Sequence, residues 1–269
     1  MKADMHVHTL FSVDGKSSME EHCIKAIEKG ITHICFTEHV DFNQFEYSRW
    51  QFDAKEYFKE IERLRKVYTN LTILSGMEFS EPHLFSKEFS EMEALPFDNI
   101  IASIHHCGNE LFPAPKNLKM EQASQEYYEL MLKTVEFGKF QTLAHMDFPK
   151  RFFDEWLYDK KTIDEILQIL IDKKIALEIN TSTADKPLYE AMPNYSIVNR
   201  FADLGGKRIT MGSDAHNKDY LGKSFDEVER LIPKCLIKGY FKEKTFYPLD
   251  KGNEDNLRKN TDDISEVGL

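Results

Sequence analysis

Seven short segments rich in apolar and β-branched residues recur along the chain, at about 2–8, 31–37, 71–77, 99–104, 140–144, 175–179 and 208–212. Stretches with helical signals follow them. Seven strand-helix units in strict alternation imply parallel strands joined by helical crossovers, a beat that an open doubly wound sheet rarely keeps for so long. The predicted fold is therefore α/β, a (β/α)7 barrel. Capping signals mark the helices: Ser17 or Ser18 before Met19, Asp53-Ala54-Lys55-Glu56, Thr162 with Glu165, Asn194, and Ser224 with Glu227. No linker-like stretch or internal repeat interrupts residues 1–248, which predicts one domain. Residues 249–269 are polar and charged, which predicts a mobile tail or an exposed helix.

Where the segments stop decides the chemistry. Their ends carry His6 and His8, then His39, Glu78, His105, His145, and finally Asp214 with His216. In a strand alternate side chains share a face, so His6 and His8 point one way and Val7 the other. In α/β barrels functional residues come from the C-terminal strand ends, so these groups would converge on one mouth. All are metal-ligand types. Adding Asp14, in the loop after the first strand, gives nine candidate donors. That number suits two or three clustered divalent ions, with central Glu78 as a bridging carboxylate. Imidazole with some carboxylate favours zinc, manganese or iron over magnesium or calcium. The carboxylates of Asp14, Glu78 and Asp214 neutralise only part of such a charge, which leaves room for an anionic substrate. A phosphate dianion fits, because phosphomonoester hydrolysis is very slow uncatalysed and clustered cations assist it.

Composition excludes other classes. A formal net charge of −11 gives no electrostatic reason for nucleic-acid binding. Asp4 and His6 break any early apolar run, and no window approaches a membrane span, so a soluble, cytoplasmic protein without membrane partners is expected. Cys23, Cys35, Cys107 and Cys235 are widely spaced without a C-x-x-C pair, which suits reduced thiols.

His6-Val7-His8-Thr9, Thr37-Glu38-His39, the later Glu78, His105 and His145, and Gly212-Ser213-Asp214-Ala215-His216 together resemble the motifs of the polymerase and histidinol phosphatase (PHP) family. The likeness extends over about residues 1–248 and is greatest to the histidinol-phosphate phosphatase branch. It implies a distorted (β/α)7 barrel with a trinuclear metal centre. It also implies a ligand set: His6, His8, Glu78 and Asp214 on one ion; Glu78, His105 and His145 on a second; Asp14, His39 and His216 on a third. Some family members have histidine where this chain has Asp14. The resemblance further implies hydrolysis of L-histidinol phosphate, in histidine biosynthesis, by water that the ions activate. Alternatives are another phosphomonoester or phosphotyrosine as substrate, an exonuclease, or a metal-stabilised binding module without turnover.

Outside these motifs, His22, His33 and His106 read as packing or surface residues. His83, in the loop after Glu78, is a candidate for contact with the leaving group. Arg151 is the first candidate for a phosphate clamp, because guanidinium offers a planar pair of donors, with Arg49 and Lys186 behind it. The phosphatase branch often has an arginine in the loop after the sixth strand, where this chain has Thr181-Ser182-Thr183-Ala184-Asp185-Lys186. The aromatic residues at 42–52, with Phe152, Phe153, Trp156 and Tyr158, lie in loops expected to cover the same mouth.

Overall fold

The computed structural model describes residues 1–49, 51–107, 110–111, 119–153, 156–185 and 188–250. Lys186 and, from position 251 onward, the expected polar tail lie outside the described residues.

The seven expected strands are present: β1 (Ala3–Val7), β2 (His33–Val40), β3 (Thr72–Ser80), β4 (Asn99–Ser103), β5 (Thr142–Leu143), β6 (Ala176–Asn180) and β7 (Arg208–Gly212). They pair in chain order and always in parallel. The ring closes at its upper rim, where Asp214 N donates to His6 O at 2.8 Å and His8 N donates to Ala215 O at 3.0 Å. Lower on the seam the buried Asp4 carboxylate takes the place of a ladder. It accepts from Ser213 N, Ser213 Oγ and Gly222 N at 2.9, 2.6 and 2.9 Å.

Helices α1 (Met19–Glu28), α2 (Ala54–Val67), α3 (Ser86–Glu93), α4 (Met120–Phe137), α5 (Lys160–Asp172), α6 (Tyr195–Asp203) and the short α7 (Phe225–Glu229) complete the crossovers. Ser18 forms a complete capping box with Glu21, and Asp53 and Asn194 cap α2 and α6 as their sequences predict. Two starts differ. Asp159, not Thr162, caps α5, because its carboxylate accepts from both the N–H and the hydroxyl of Thr162. Ser224 precedes α7 in a left-handed conformation and makes no capping bond. Most of the apolar core lies between helices and strands, where Val7, Phe36, Phe79, Ile100, Leu143 and Ile179 are buried. A smaller cluster of Ala3, Met5, Cys35, Leu74 and Leu249 packs separately. A register shift between Asp4 and Val7 interrupts the alternation of β1. Cys23, Cys35, Cys107 and Cys235 are free thiols.

A C-terminal hairpin, β8 (Ile237–Lys242) and β9 (Thr245–Pro248), extends the sheet beyond β7. Its sequence hides it. The turn residues Glu243 and Lys244 both have positive φ, at 49° and 62°, where the usual signal is Asn-Gly or Asp-Gly. Among the described residues no helix is long and apolar enough to cross a membrane.

Candidate metal centre

The strand ends do converge. His39 and Glu78 lie in register on β2 and β3, His105 follows β4, and His145 follows β5. The closed seam sets His6 and His8 against Asp214. The loop after β1 must fold back sharply to return Asp14, and only glycine fits at its base: a Cβ on Gly15 would lie 1.8 Å from Thr9 O.

Four donor atoms form a compact group. His6 Nε2 and His8 Nε2 are 3.0 Å apart. Each lies 3.3 Å from Glu78 Oε2, and they lie 3.7 and 3.5 Å from Asp214 Oδ1. Tetrahedral ligands at metal-nitrogen distances of 2.0–2.1 Å are separated by about 3.4 Å. His6 and His8 therefore stand at a spacing that suits a zinc-sized ion, with Asp214 on one side and Glu78 on the other. Glu78 faces a second group through its other oxygen, with Oε1 2.9 Å from His145 Nε2 and 3.3 Å from His105 Nε2. Asp14 Oδ2 gathers a third, at 3.0 Å from His216 Nε2 and 3.6 Å from His39 Nε2. His39 also turns Nδ1 to Glu78 Oε2, at 3.2 Å.

Electrostatics agree with a site built for cations. Burial disfavours charge on His6, but Glu178, Glu78 and Asp214 outweigh it and hold the imidazole proton well above the usual range. His105 is raised in the same way by Glu78 and Glu46. Against burial, Glu78, Asp14 and Asp41 carry His39 to about 9, and Asp14 and Asp214 raise His216. His8 moves the other way, pushed well down by burial and by His216 and His39. Glu78 stays ionised despite burial because His6, His105 and His39 surround it. A cation bound among these groups would displace any proton from the imidazole nitrogens that face it.

A second layer fixes the donors. Glu178 on β6 lies 2.6 Å from His6 Nδ1 and accepts from His145 N at 2.7 Å. Glu38, beside His39 in sequence, turns away from the donors and accepts from Thr9 N, Thr9 Oγ1 and Ser12 Oγ. Ser12 Oγ in turn lies 3.3 Å from His8 Nδ1. Ser80 Oγ lies 3.0 Å from His105 Nδ1. Of these partners only Ser80 ends a strand, and a serine there is not a metal-ligand type.

Arg151 sits at the rim. Its guanidinium bonds Asp214 Oδ2 at 3.0 Å, reaches Ser182 Oγ and covers the Phe148 ring. It lines a cavity of about 260 Å³ together with Asp14, His39, Glu46, Tyr47, Glu78, His105, His145, Phe148, Asp214 and His216. Through Arg151, Asp214 and His216 this joins a larger cavity of about 730 Å³ that Lys150, Phe152, Phe153, Tyr220 and Lys223 also line. The other candidates separate from it. His83 bonds Thr134 on α4 at 2.8 Å and lines neither cavity, because the chain after β3 carries it onto the helix. Arg49 is an exposed loop residue that lines neither. His22, His33 and His106 are buried packing residues, His106 paired with Glu81 at 2.8 Å. Among the aromatics, Tyr47, Phe148, Phe152 and Phe153 reach the cavities; Trp156 packs on Tyr128, and Trp50 lies outside the described residues.

The PHP domain profile matches residues 4–182, more than half of the chain. The chain belongs to the PHP family. Asp214 and His216 lie beyond the matched stretch, and closure of the barrel brings them to it. This PHP chain is 33% identical over 258 residues to a probable histidinol-phosphatase of Clostridium acetobutylicum, with 91% of this chain and 98% of the relative covered. It is 33% identical over 250 residues to the histidinol-phosphatase of Lactococcus lactis subsp. lactis, covering 87% and 91%. The crystal structure of a histidinol phosphate phosphatase from that organism, complexed with zinc, L-histidinol and phosphate, superposes with a TM-score of 0.80. Its identity is 28%, with 91% of this chain and 98% of that chain covered.

Proposed function

We propose that this PHP chain is a histidinol-phosphatase, hydrolysing L-histidinol phosphate to L-histidinol and phosphate. The carrying observation is the four-atom group of His6, His8, Glu78 and Asp214 with Arg151 bonded to its edge. The relative solved with zinc, L-histidinol and phosphate, the two products of that hydrolysis, supports the reading.

Two or three divalent ions are the proposed complement, zinc first, with manganese and iron as alternatives. His6, His8, Glu78 and Asp214 would hold one, Glu78, His105 and His145 a second, and Asp14, His39 and His216 a third. Such ions supply Lewis-acid stabilisation of phosphoryl oxygens and lower the pKa of attacking water. The chain's own groups do the rest. Arg151 presents a planar, permanently charged donor to the phosphate, and Asp214 and Ser182 keep its orientation. Glu178 and Ser80 fix the imidazoles of His6 and His105, so that little reorganisation accompanies the reaction. Lys186 is retained as a candidate second phosphate contact. A single domain over residues 1–248 and a cytoplasmic location complete the reading.

Phosphate release from L-histidinol phosphate, measured with zinc, manganese or iron supplied, tests it. The parent protein should turn over, and His8→Ala should lose about a thousandfold in kcat/KM, as expected when ion-centred stabilisation is removed. A His8→Ala variant as active as the parent would sink the ligand role. The adjoining 730 Å³ cavity favours a second reading, a bulkier phosphomonoester. A substrate panel ranked by kcat/KM separates the two.

A further inference from the structure

One acidic group in the cavity pairs with His105 and has no other task in this reaction so far. Among the described lining residues of both cavities, Asp14, Glu78 and Asp214 belong to the nine candidate donors, and Glu46 is the remaining carboxylate. Its side chain is 10% exposed. Its Oε1 is buried without a hydrogen-bond partner among the described residues. A buried carboxylate oxygen left in that state is costly unless a ligand satisfies it. His105 meets it only as an ion pair: its Nδ1 is 3.6 Å from Oε1, beyond hydrogen-bond length, and Ser80 Oγ already lies 3.0 Å from that nitrogen. The loop after β2 holds Glu46 in place, since Glu46 N donates to Asn43 O and Asn43 Oδ1 accepts from Phe45 N. The next residue, Tyr47, is 81% exposed, so Glu46 is the inward member of the pair.

The cavity is also polarised. Arg151 enters after β5 and Glu46 after β2, three strands away around a ring of seven. L-Histidinol phosphate has the complementary dipole: a phosphate dianion and, on the carbon beside its ester methylene, an amine protonated at neutral pH. With bonds near 1.5 Å, that nitrogen stays within roughly 4 Å of the ester oxygen. A group that binds the ammonium must therefore stand close to the ions that would take the phosphate, and Glu46 Oε1 lies 3.6 Å from Nδ1 of the candidate ligand His105.

We propose that Glu46 binds the substrate ammonium, so that it selects phosphomonoesters carrying a cationic amine two carbons from the ester oxygen. This rests on the histidinol-phosphatase reading. The test compares L-histidinol phosphate with its analogue lacking the amine, on the parent, Glu46→Gln and Glu46→Asp, with bound metal measured for each. The parent should prefer the amine, and Glu46→Gln should reduce that preference at least about tenfold, through KM more than kcat and with metal content unchanged. Glu46→Asp should recover part of it. Equal losses on both substrates, or loss of metal, would overturn the proposal and make Glu46 a support for His105. If the parent fails on L-histidinol phosphate, the functional reading falls separately. The amine proposal is then decided with 2-aminoethyl phosphate against ethyl phosphate, and equal kcat/KM values overturn it.

Discussion

Glu178 Oε1 stands 2.6 Å from His6 Nδ1, on the side of the ring away from the donor nitrogen. The pair is a carboxylate-imidazole couple of the kind that fixes a ligand's tautomer and raises its basicity. Because the other oxygen accepts from His145 N, one side chain steadies donors from two strands. Glu178→Gln keeps the volume and removes the charge. Metal affinity should fall about 10- to 100-fold, read by chelator competition. Unchanged affinity would remove Glu178 from the centre.

Metal uptake should depend on pH in a direction set by the imidazoles. In the metal-free protein the carboxylates around His39 raise it from 6.5 to about 9. Its contribution to stability is then full below pH 6.5 and lost as pH rises through about 9. Metal affinity runs oppositely, gaining up to about tenfold per pH unit for each proton displaced. Calorimetric titration with zinc in buffers of different ionisation enthalpy should show net proton release at pH 7. Binding without proton release would contradict the assignment.

Arg151→Ala should lower kcat/KM by about a hundredfold, roughly the worth of a charged bidentate contact, while bound metal stays within the parent's range. Arg151→Lys should recover only part, because an ammonium cannot reproduce the planar fork. Phosphate should inhibit both variants less well than the parent. Undiminished phosphate inhibition would place the anion elsewhere.

Gly212→Ala tests the packing behind the donors. A Cβ there would lie 2.3 Å from Glu178 Oε1 and 2.5 Å from His6 Cβ. Overpacking of this kind costs about 1–3 kcal/mol. Thermal or urea unfolding should register that loss, with weaker metal binding alongside it. A variant with parental stability and metal content would show that the seam yields more easily than its spacing suggests.

The convergence of the candidate donors is legible in the sequence because metal ligation demands particular residue types, and the barrel brings strand ends together. His6, His39, His105 and His145 satisfy both conditions within a few residues of context. Glu178 does not. It lies inside β6, and its reach to His6 depends on the missing side chain of Gly212 on the neighbouring strand, which no local pattern reveals. Glu46 was hidden for a related reason, since a loop after β2 has no periodicity to say which residue turns inward. Proximity in sequence to Glu78 does not bring His83 to the cavity, because packing against α4 decides where that loop goes. The hairpin β8–β9 has no sequence signature, because Glu243 and Lys244 make its turn without the residues that advertise one.

The closed seam has a consequence for the order of events during synthesis. His6 and His8 leave the ribosome early, but Asp214, which completes their four-atom group, is made only after β7. Until then the nascent chain offers that first position a histidine pair and Glu78 without its fourth donor. In the proposed assignment the first position would gain its full donor set only when the barrel has been drawn shut.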